Sequence, residues 1–195
     1  MSVADRSIDP RIIESAKEEF LQKGFLDASL QEICKNAGVT TGALYKRFKG
    51  KEELFCALVE STVQDLEEVV RQKSVLPATL TDEQLKKAWD MDREYMQWWF
   101  DYLYDRYDEM RLLLVFSDGT KYANFEHEWV EGMSHTTYAY YKEAQRRGLT
   151  KTDISEKEMH VMLSSFWTAI CEPLIHGFTK EEAGRISDLM CGLFD

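Results

Sequence analysis

The segment from Ser29 to Leu54, SLQEICKNAGVTTGALYKRFKGKEEL, leaves the backbone few ways to fold. Ser29 and Glu32 have capping-box spacing, which predicts reciprocal satisfaction of two backbone N–H groups and the start of a helix. Ile33 and Ala37 give that helix an inward face, and Gly38 stands where a helix ends in the left-handed region, which glycine enters without a Cβ clash. Val39 plugs the turn, Thr40 suits an N-cap, and Leu44 and Phe48, four apart, share the inner side of a second short helix. A helix, a glycine turn and a second helix make a helix-turn-helix.

Charge is concentrated in this segment against the trend of the chain. Lys35, Lys46, Arg47, Lys49 and Lys51 lie between Cys34 and Lys51 with no acidic residue among them, although the formal net charge is -11. A phosphate backbone is the polyanion that rewards such a patch. The candidate DNA-binding residues are Ser29, Thr40, Thr41, Gly42, Tyr45, Lys46, Arg47 and Lys51. Short hydroxyls and a glycine permit close approach to a groove, Tyr45 offers a hydroxyl to phosphate, and Lys46 and Arg47 reach phosphates or guanine edges. Lys51 opens the next helix, whose free N–H groups favour a phosphate oxygen.

Three spacings extend the pattern. Ile12, Ala16, Phe20 and Gly24 form an IxxxAxxxFxxxG opening; Ile33, Ala37, Gly38, Val39, Thr40, Thr41, Gly42, Leu44, Tyr45 and Phe48 form an IxxxAGVTTGxLYxxF centre; KEELF closes it. From Ile12 to Leu54 the chain resembles the DNA-binding domain of TetR-type (TetR/AcrR) transcriptional regulators. Two positions depart from the commonest pattern: Cys34 where alanine is usual, and Lys46-Arg47 where an aromatic or histidine often precedes the phenylalanine.

The resemblance implies an all-α fold of nine or ten helices: a three-helix reading domain in residues 1–50, a connecting helix in 51–73, and a ligand-binding and dimerisation domain in 74–195. It implies a homodimer on a near-palindromic double-stranded operator, with heads about 34–36 Å apart to meet successive major grooves. The function expected is a transcriptional repressor released by a small-molecule effector. The alternative is an interaction module that keeps the helix-turn-helix fold without operator binding.

Composition agrees with two units. Residues 1–60 hold nine Lys and Arg against ten Asp and Glu, so the excess acidity belongs to the remainder. An acidic body disfavours anionic membrane surfaces. Cys34, Cys56, Cys171 and Cys191 are widely spaced, with neither a disulfide framework nor a zinc pattern, which fits reduced thiols in the cytoplasm. The polar MSVADRSIDPR start is not expected to be a signal peptide, and apolar runs such as Leu112 to Phe116 are far below a membrane span.

Beyond the reading domain the pattern stays helical. A helix from Lys51 to Gln72 carries the stripe Leu54, Phe55, Leu58, Val59, Leu66 and Val69. After Pro77, Thr81 and Gln84 cap a helix bearing Leu85, Trp89, Tyr95, Met96, Trp99 and Leu103. A short helix over Met110 to Phe116 precedes a Ser117 to Thr120 turn, and a long helix runs from Tyr122 to Arg147. Ser155 with Glu158 opens the next helix, which Pro173 should bend and Gly177 should close. Thr179 with Glu182 opens the last, with Ala183, Ile186, Leu189, Met190 and Leu193 inward. The two long helices are apolar on more than one face, which calls for a second copy as partner.

All five tryptophans and eight of nine tyrosines follow residue 88. This richness points to a pocket for an effector of aromatic or cationic character, with Trp99, Tyr102, Phe125, Trp129, Met133 and Phe166 as candidate contacts. His127, Glu131 and His135 share a helix face, as do Asp101, Asp105 and Asp108, but solvated ladders explain both better than a metal. No metal or cofactor is expected. Paired Glu-x-x-His motifs and a nucleophile with its base are missing, which argues against an enzyme.

Overall fold

The computed structural model describes residues 8–74, 80–87 and 93–192, so Pro77, Trp89 and Leu193 lie outside the described residues. Those residues form ten α-helices and no strand: α1 (Ile8–Asp27), α2 (Leu30–Ala37), α3 (Thr41–Tyr45), α4 (Lys51–Ser74), α5 (Asp82–Lys87), α6 (Arg93–Tyr104), α7 (Tyr107–Val115), α8 (Phe125–Arg146), α9 (Glu156–Ile175) and α10 (Lys180–Gly192). The all-α architecture is the one the periodicity predicts. The helices divide into two units, one within Met1–Gln64 and Tyr107–Asn124, the other within Asp65–Arg106 and Phe125–Asp195.

The first unit is built on the spacings of the opening and centre motifs. Ile12, Ala16 and Phe20 of α1, Ile33 and Ala37 of α2, Leu44 of α3, and Leu54, Phe55 and Val59 of α4 are all buried. Phe20 and Phe25 pack edge-on against Phe55, with centroids 5.2 and 5.6 Å away. Removing such rings from water supplies much of the stability of so small a unit, roughly 1.5–3 kcal/mol each.

Residues 107–124 also belong to this unit, whereas their place in the sequence groups them with the C-terminal body. Met110, Leu112 and Leu113 of α7 are buried, and the Phe25 N–H donates to the Phe116 carbonyl at 3.0 Å. The Thr120 hydroxyl donates to the Ser117 carbonyl at 2.8 Å and accepts the Tyr122 N–H at 3.0 Å. These side chains satisfy backbone groups that would otherwise enter a helix, so α8 starts at Phe125 and not at Tyr122. The same turn is fastened to α4: the Tyr122 hydroxyl donates to Glu60 at 2.7 Å, Lys121 Nζ to Glu60 at 3.2 Å, and the Lys121 N–H to Glu52 at 3.0 Å.

The second unit packs Met96, Trp99, Phe100 and Leu103 of α6 with Trp129, Val130 and Tyr141 of α8, Met159, Leu163, Trp167 and Ile170 of α9, and Ala183 of α10. The Thr81–Gln84, Ser155–Glu158 and Thr179–Glu182 pairs each form both hydrogen bonds of a capping box. Helix α9 continues through Pro173 to Ile175, and Gly177 follows with φ 71°. In α10 the inward positions are Ala183 and Ser187, while Leu189 and Met190 are exposed, contrary to the expected face. Leu189 lies off the face that Ala183 and Ser187 share, whereas Met190, seven positions after Ala183, is on that face and is exposed where α10 nears its end at Gly192.

Candidate nucleic-acid interface

The turn between α2 and α3 is set by backbone chemistry. Gly38 sits at φ 66°, ψ 37°, and the N–H groups of Gly38 and Val39 donate to the carbonyls of Lys35 at 3.1 Å and Cys34 at 2.9 Å. Thr40 is extended and its hydroxyl accepts the Ala43 N–H at 3.2 Å, which starts α3. Leu44 is fully buried, so the opposite side of this five-residue helix is presented outward. Thr40, Thr41, Gly42, Tyr45 and Lys46 are all exposed, Tyr45 by 56%.

The cap of α2 is shared differently from the expected box. The half-buried Ser29 accepts the Glu32 N–H at 3.4 Å, but its own N–H donates to Glu19 at 2.9 Å, and Glu32 pairs with Lys35 at 3.2 Å. Glu19 is only 4% exposed and also accepts from Lys23 at 2.8 Å. Burial alone pushes its carboxyl up, but the Lys23 ammonium and the Ser29 N–H outweigh that and hold it below its ordinary value. Sequence spacing gave no hint of this long-range cap.

The basic cluster is more occupied than its sequence suggests. Arg47, expected on the outward side, is 16% exposed; its Nε donates to Asp9 and its Nη1 to the Ala43 carbonyl at 3.1 Å. Lys51 Nζ donates to the Leu26 and Ala28 carbonyls at 2.8 and 3.1 Å and lies 4.8 Å from the centroid of the Phe25 ring. Lys46 and Lys49 direct no side-chain hydrogen bond or ion pair at any other described residue. Arg11, absent from the sequence-based candidates, reaches the turn: a Cβ at Gly38 would lie 3.6 Å from its Nη1. The register of α1 against the turn was the missing information.

The second unit gathers the candidate effector residues. The Trp99 ring centroid lies 6.0 Å from Tyr102, 6.2 Å from Trp129 and 5.2 Å from Trp167, and Phe125 stacks on Trp129 at 6.4 Å. Phe166 stacks on Tyr95 at 5.8 Å, and Met133 is half-buried on α8. Trp167, not among the expected contacts, is central to the cluster. The indole N–H groups of Trp129 and Trp167 are buried without a hydrogen-bond partner among the described residues. On the same two helices, α8 and α9, burial and then the charge of Glu172 push the Glu126 carboxyl above its ordinary value.

The remaining polar rows have ordinary partners. His135 pairs with Glu156 at 3.0 Å, His160 lies 3.2 Å from the Ser134 hydroxyl, and no group of three metal-ligating residues occurs among the described residues. The expected aspartate row is split, because α6 ends at Tyr104 and α7 begins at Tyr107. Asp101 and Asp105 pair with Lys180 at 3.0 and 3.3 Å, and Asp108 pairs with Lys17 at 3.3 Å. Cys34, Cys56 and Cys171 are free thiols whose pKa values burial raises, which makes them poor nucleophiles. No helix among the described residues is long and apolar enough to cross a membrane.

Comparison with known proteins bears on the same residues. Residues 12–58 match the family of bacterial regulatory proteins of the tetR type. The chain is 46% identical to the transcriptional regulator SrpR of Pseudomonas putida over 57 residues, which span 29% of this chain and 27% of SrpR. With the transcriptional repressor AcnR of Corynebacterium glutamicum it shares 24% identity over 200 residues, covering 98% of this chain and 97% of AcnR. The fold is similar to that of the transcriptional regulator FadR from Bacillus subtilis, solved with stearoyl-CoA: TM-score 0.56, 17% identity, 96% of this chain and 100% of that one. A buried motif core, a glycine turn and an exposed α3 face thus coincide with residues 12–58, the stretch that matches the tetR family of bacterial regulatory proteins.

Proposed function

We propose that this protein is a homodimeric DNA-binding transcriptional repressor that a small-molecule effector releases from a near-palindromic operator. The observation that carries the reading is the α2–α3 geometry, which buries Leu44 and exposes Thr41, Gly42, Tyr45 and Lys46 together. Thr41 and Lys46 read base edges, while Tyr45 and Lys49 hold phosphates. Ser29 acts through the α2 cap, and Lys51 acts chiefly by fixing the end of α1 under the start of α4.

Self-association is supported by α8 and α9. Val161 and Met162 are exposed on α9, and a cleft lined by Gly132, Ser134, His135 and His160 opens between the two helices. Exposed large apolar groups on α9, with a glycine on the neighbouring α8, permit close approach of a second copy. The effector site is the Trp99, Trp129 and Trp167 cluster with Tyr102, Phe125, Met133 and Phe166. Its rings favour an aromatic or apolar ligand, the indole donors of Trp129 and Trp167 meet an acceptor on it, and the Glu126 and Glu172 carboxylates favour a cation. The acyl-CoA found in FadR makes a long-chain acyl-CoA one probe, and a cationic aromatic dye the other. Release works by differential binding: an effector that favours the DNA-incompetent arrangement weakens operator affinity by about 1–3 kcal/mol.

Gel-shift titration of the full chain against duplex, repeated across salt concentrations and then with each probe, tests the proposal. Salt-dependent retention that one probe reverses is expected. Retention of no duplex above bulk competitor would overturn it.

A further inference from the structure

We infer that Asp9 withholds Arg47 from DNA, so that each reading head grips the duplex with one cation fewer than its sequence displays. This rests on the DNA-binding reading above. Arg47 stands directly after Lys46, yet its guanidinium turns back to α1, where Nε meets the Asp9 carboxylate 38 positions away. A second donor of the same fork, Nη1, holds the carbonyl of Ala43, the middle residue of α3, 3.1 Å away. The Arg47 side chain is 16% exposed against 46% for Asp9, so the carboxylate lies on the solvent side of the pair.

Reaching a phosphate requires Arg47 to give up both bonds and to leave Asp9 as an uncompensated anion beside a polyanion. Lys46 and Lys49 face no such loss, since their ammonium groups have no partner among the described residues. Asp9 is therefore a positioning residue: it ties the first turn of α1 to the end of the reading helix, and it lowers sequence-independent affinity by sequestering one charge. A lower background grip favours discrimination by Thr41 and Lys46, whose contacts depend on base identity.

The test compares wild type, Asp9→Asn, Arg47→Gln and the double variant as full chains, on a selected duplex and an unrelated one, from about 0.05 to 0.3 M salt. Asp9→Asn should steepen the dependence of log affinity on log salt by about 0.9 per head and tighten both duplexes about fivefold per head at 0.15 M salt. Arg47→Gln bares the Asp9 carboxylate and should weaken both duplexes, whereas the double variant, with neither charge, should keep the wild-type slope. A double variant shallower than wild type by about 0.9 per head, or one that keeps the gain of Asp9→Asn, overturns the inference. Thermal melts of each variant set one temperature at which all are folded, and the slopes are compared there. Wild-type protein with no salt-dependent binding would instead sink the DNA-binding reading itself.

Discussion

The buried carboxylate of Glu19 accepts the backbone N–H of Ser29 at 2.9 Å, so the residue that caps α2 is itself held by α1. Glu19→Gln should cost about 1–3 kcal/mol, because a charge-assisted pair of bonds in a dry site is replaced by weaker neutral ones. The folded carboxyl titrates below its ordinary value of 4.5, so its stabilisation is complete above that pH and fades as pH falls through the folded pKa. Urea unfolding of both proteins should show a gap at neutral pH that closes below 4.5; a constant gap would contradict the assignment.

Lys51 bridges the Leu26 and Ala28 carbonyls over the Phe25 ring. Lys51→Ala should lower stability by about 1–2 kcal/mol and weaken binding to all duplexes alike, since both effects come from loss of charge-assisted bonds. Denaturant melts and gel shifts on matched and unrelated duplexes measure the two effects. Weakening confined to one sequence would show that Lys51 reads bases.

Gly119 stands at φ 87°, and a Cβ there would come within 2.5 Å of the end of the Leu26 side chain. Leu26 is flexible and exposed, so the backbone conformation sets the cost: Gly119→Ala should destabilise by about 1–2 kcal/mol. An unchanged melting temperature would mean the turn relaxes freely.

Tyr122 donates to Glu60 at 2.7 Å, and burial followed by this bond pushes its phenol up to about 12. The raised folded pKa means the stabilisation is present below the ordinary value of 10 and is lost as pH rises through about 12. Tyr122→Phe should cost about 1 kcal/mol at neutral pH. Spectrophotometric titration of the tyrosines, with Tyr122→Phe as the difference, should show one phenol resisting ionisation at pH 10.

Local chemistry was legible in the sequence wherever cause and effect lie within a few residues. Gly38, Thr40 and the reciprocal caps at Ser155 and Thr179 each do what their spacing implies. The family motif made the buried face of the reading unit legible in the same way, from Ile12 to Leu54. Long-range partners were not legible: Ser29 takes Glu19 in place of Glu32, and Arg47 takes Asp9, because periodicity says nothing about which charge stands across a helix interface. The place of residues 107–124 in the first unit depends likewise on a backbone bond from Phe25 to Phe116. In the sequence Trp167 is one apolar residue among several on α9, and only the meeting of three helices shows it at the centre of the aromatic cluster.

The central claim, that the exposed side of α3 reads duplex DNA, is tested most directly by selecting bound duplexes from a random pool with wild type, Tyr45→Phe and Lys46→Ala. Wild type should enrich one near-palindromic site with half-sites about 10 base pairs apart. Tyr45→Phe should enrich the same site with weaker retention, and Lys46→Ala should change the bases preferred. A wild-type pool no different from the input at moderate ionic strength would contradict the account.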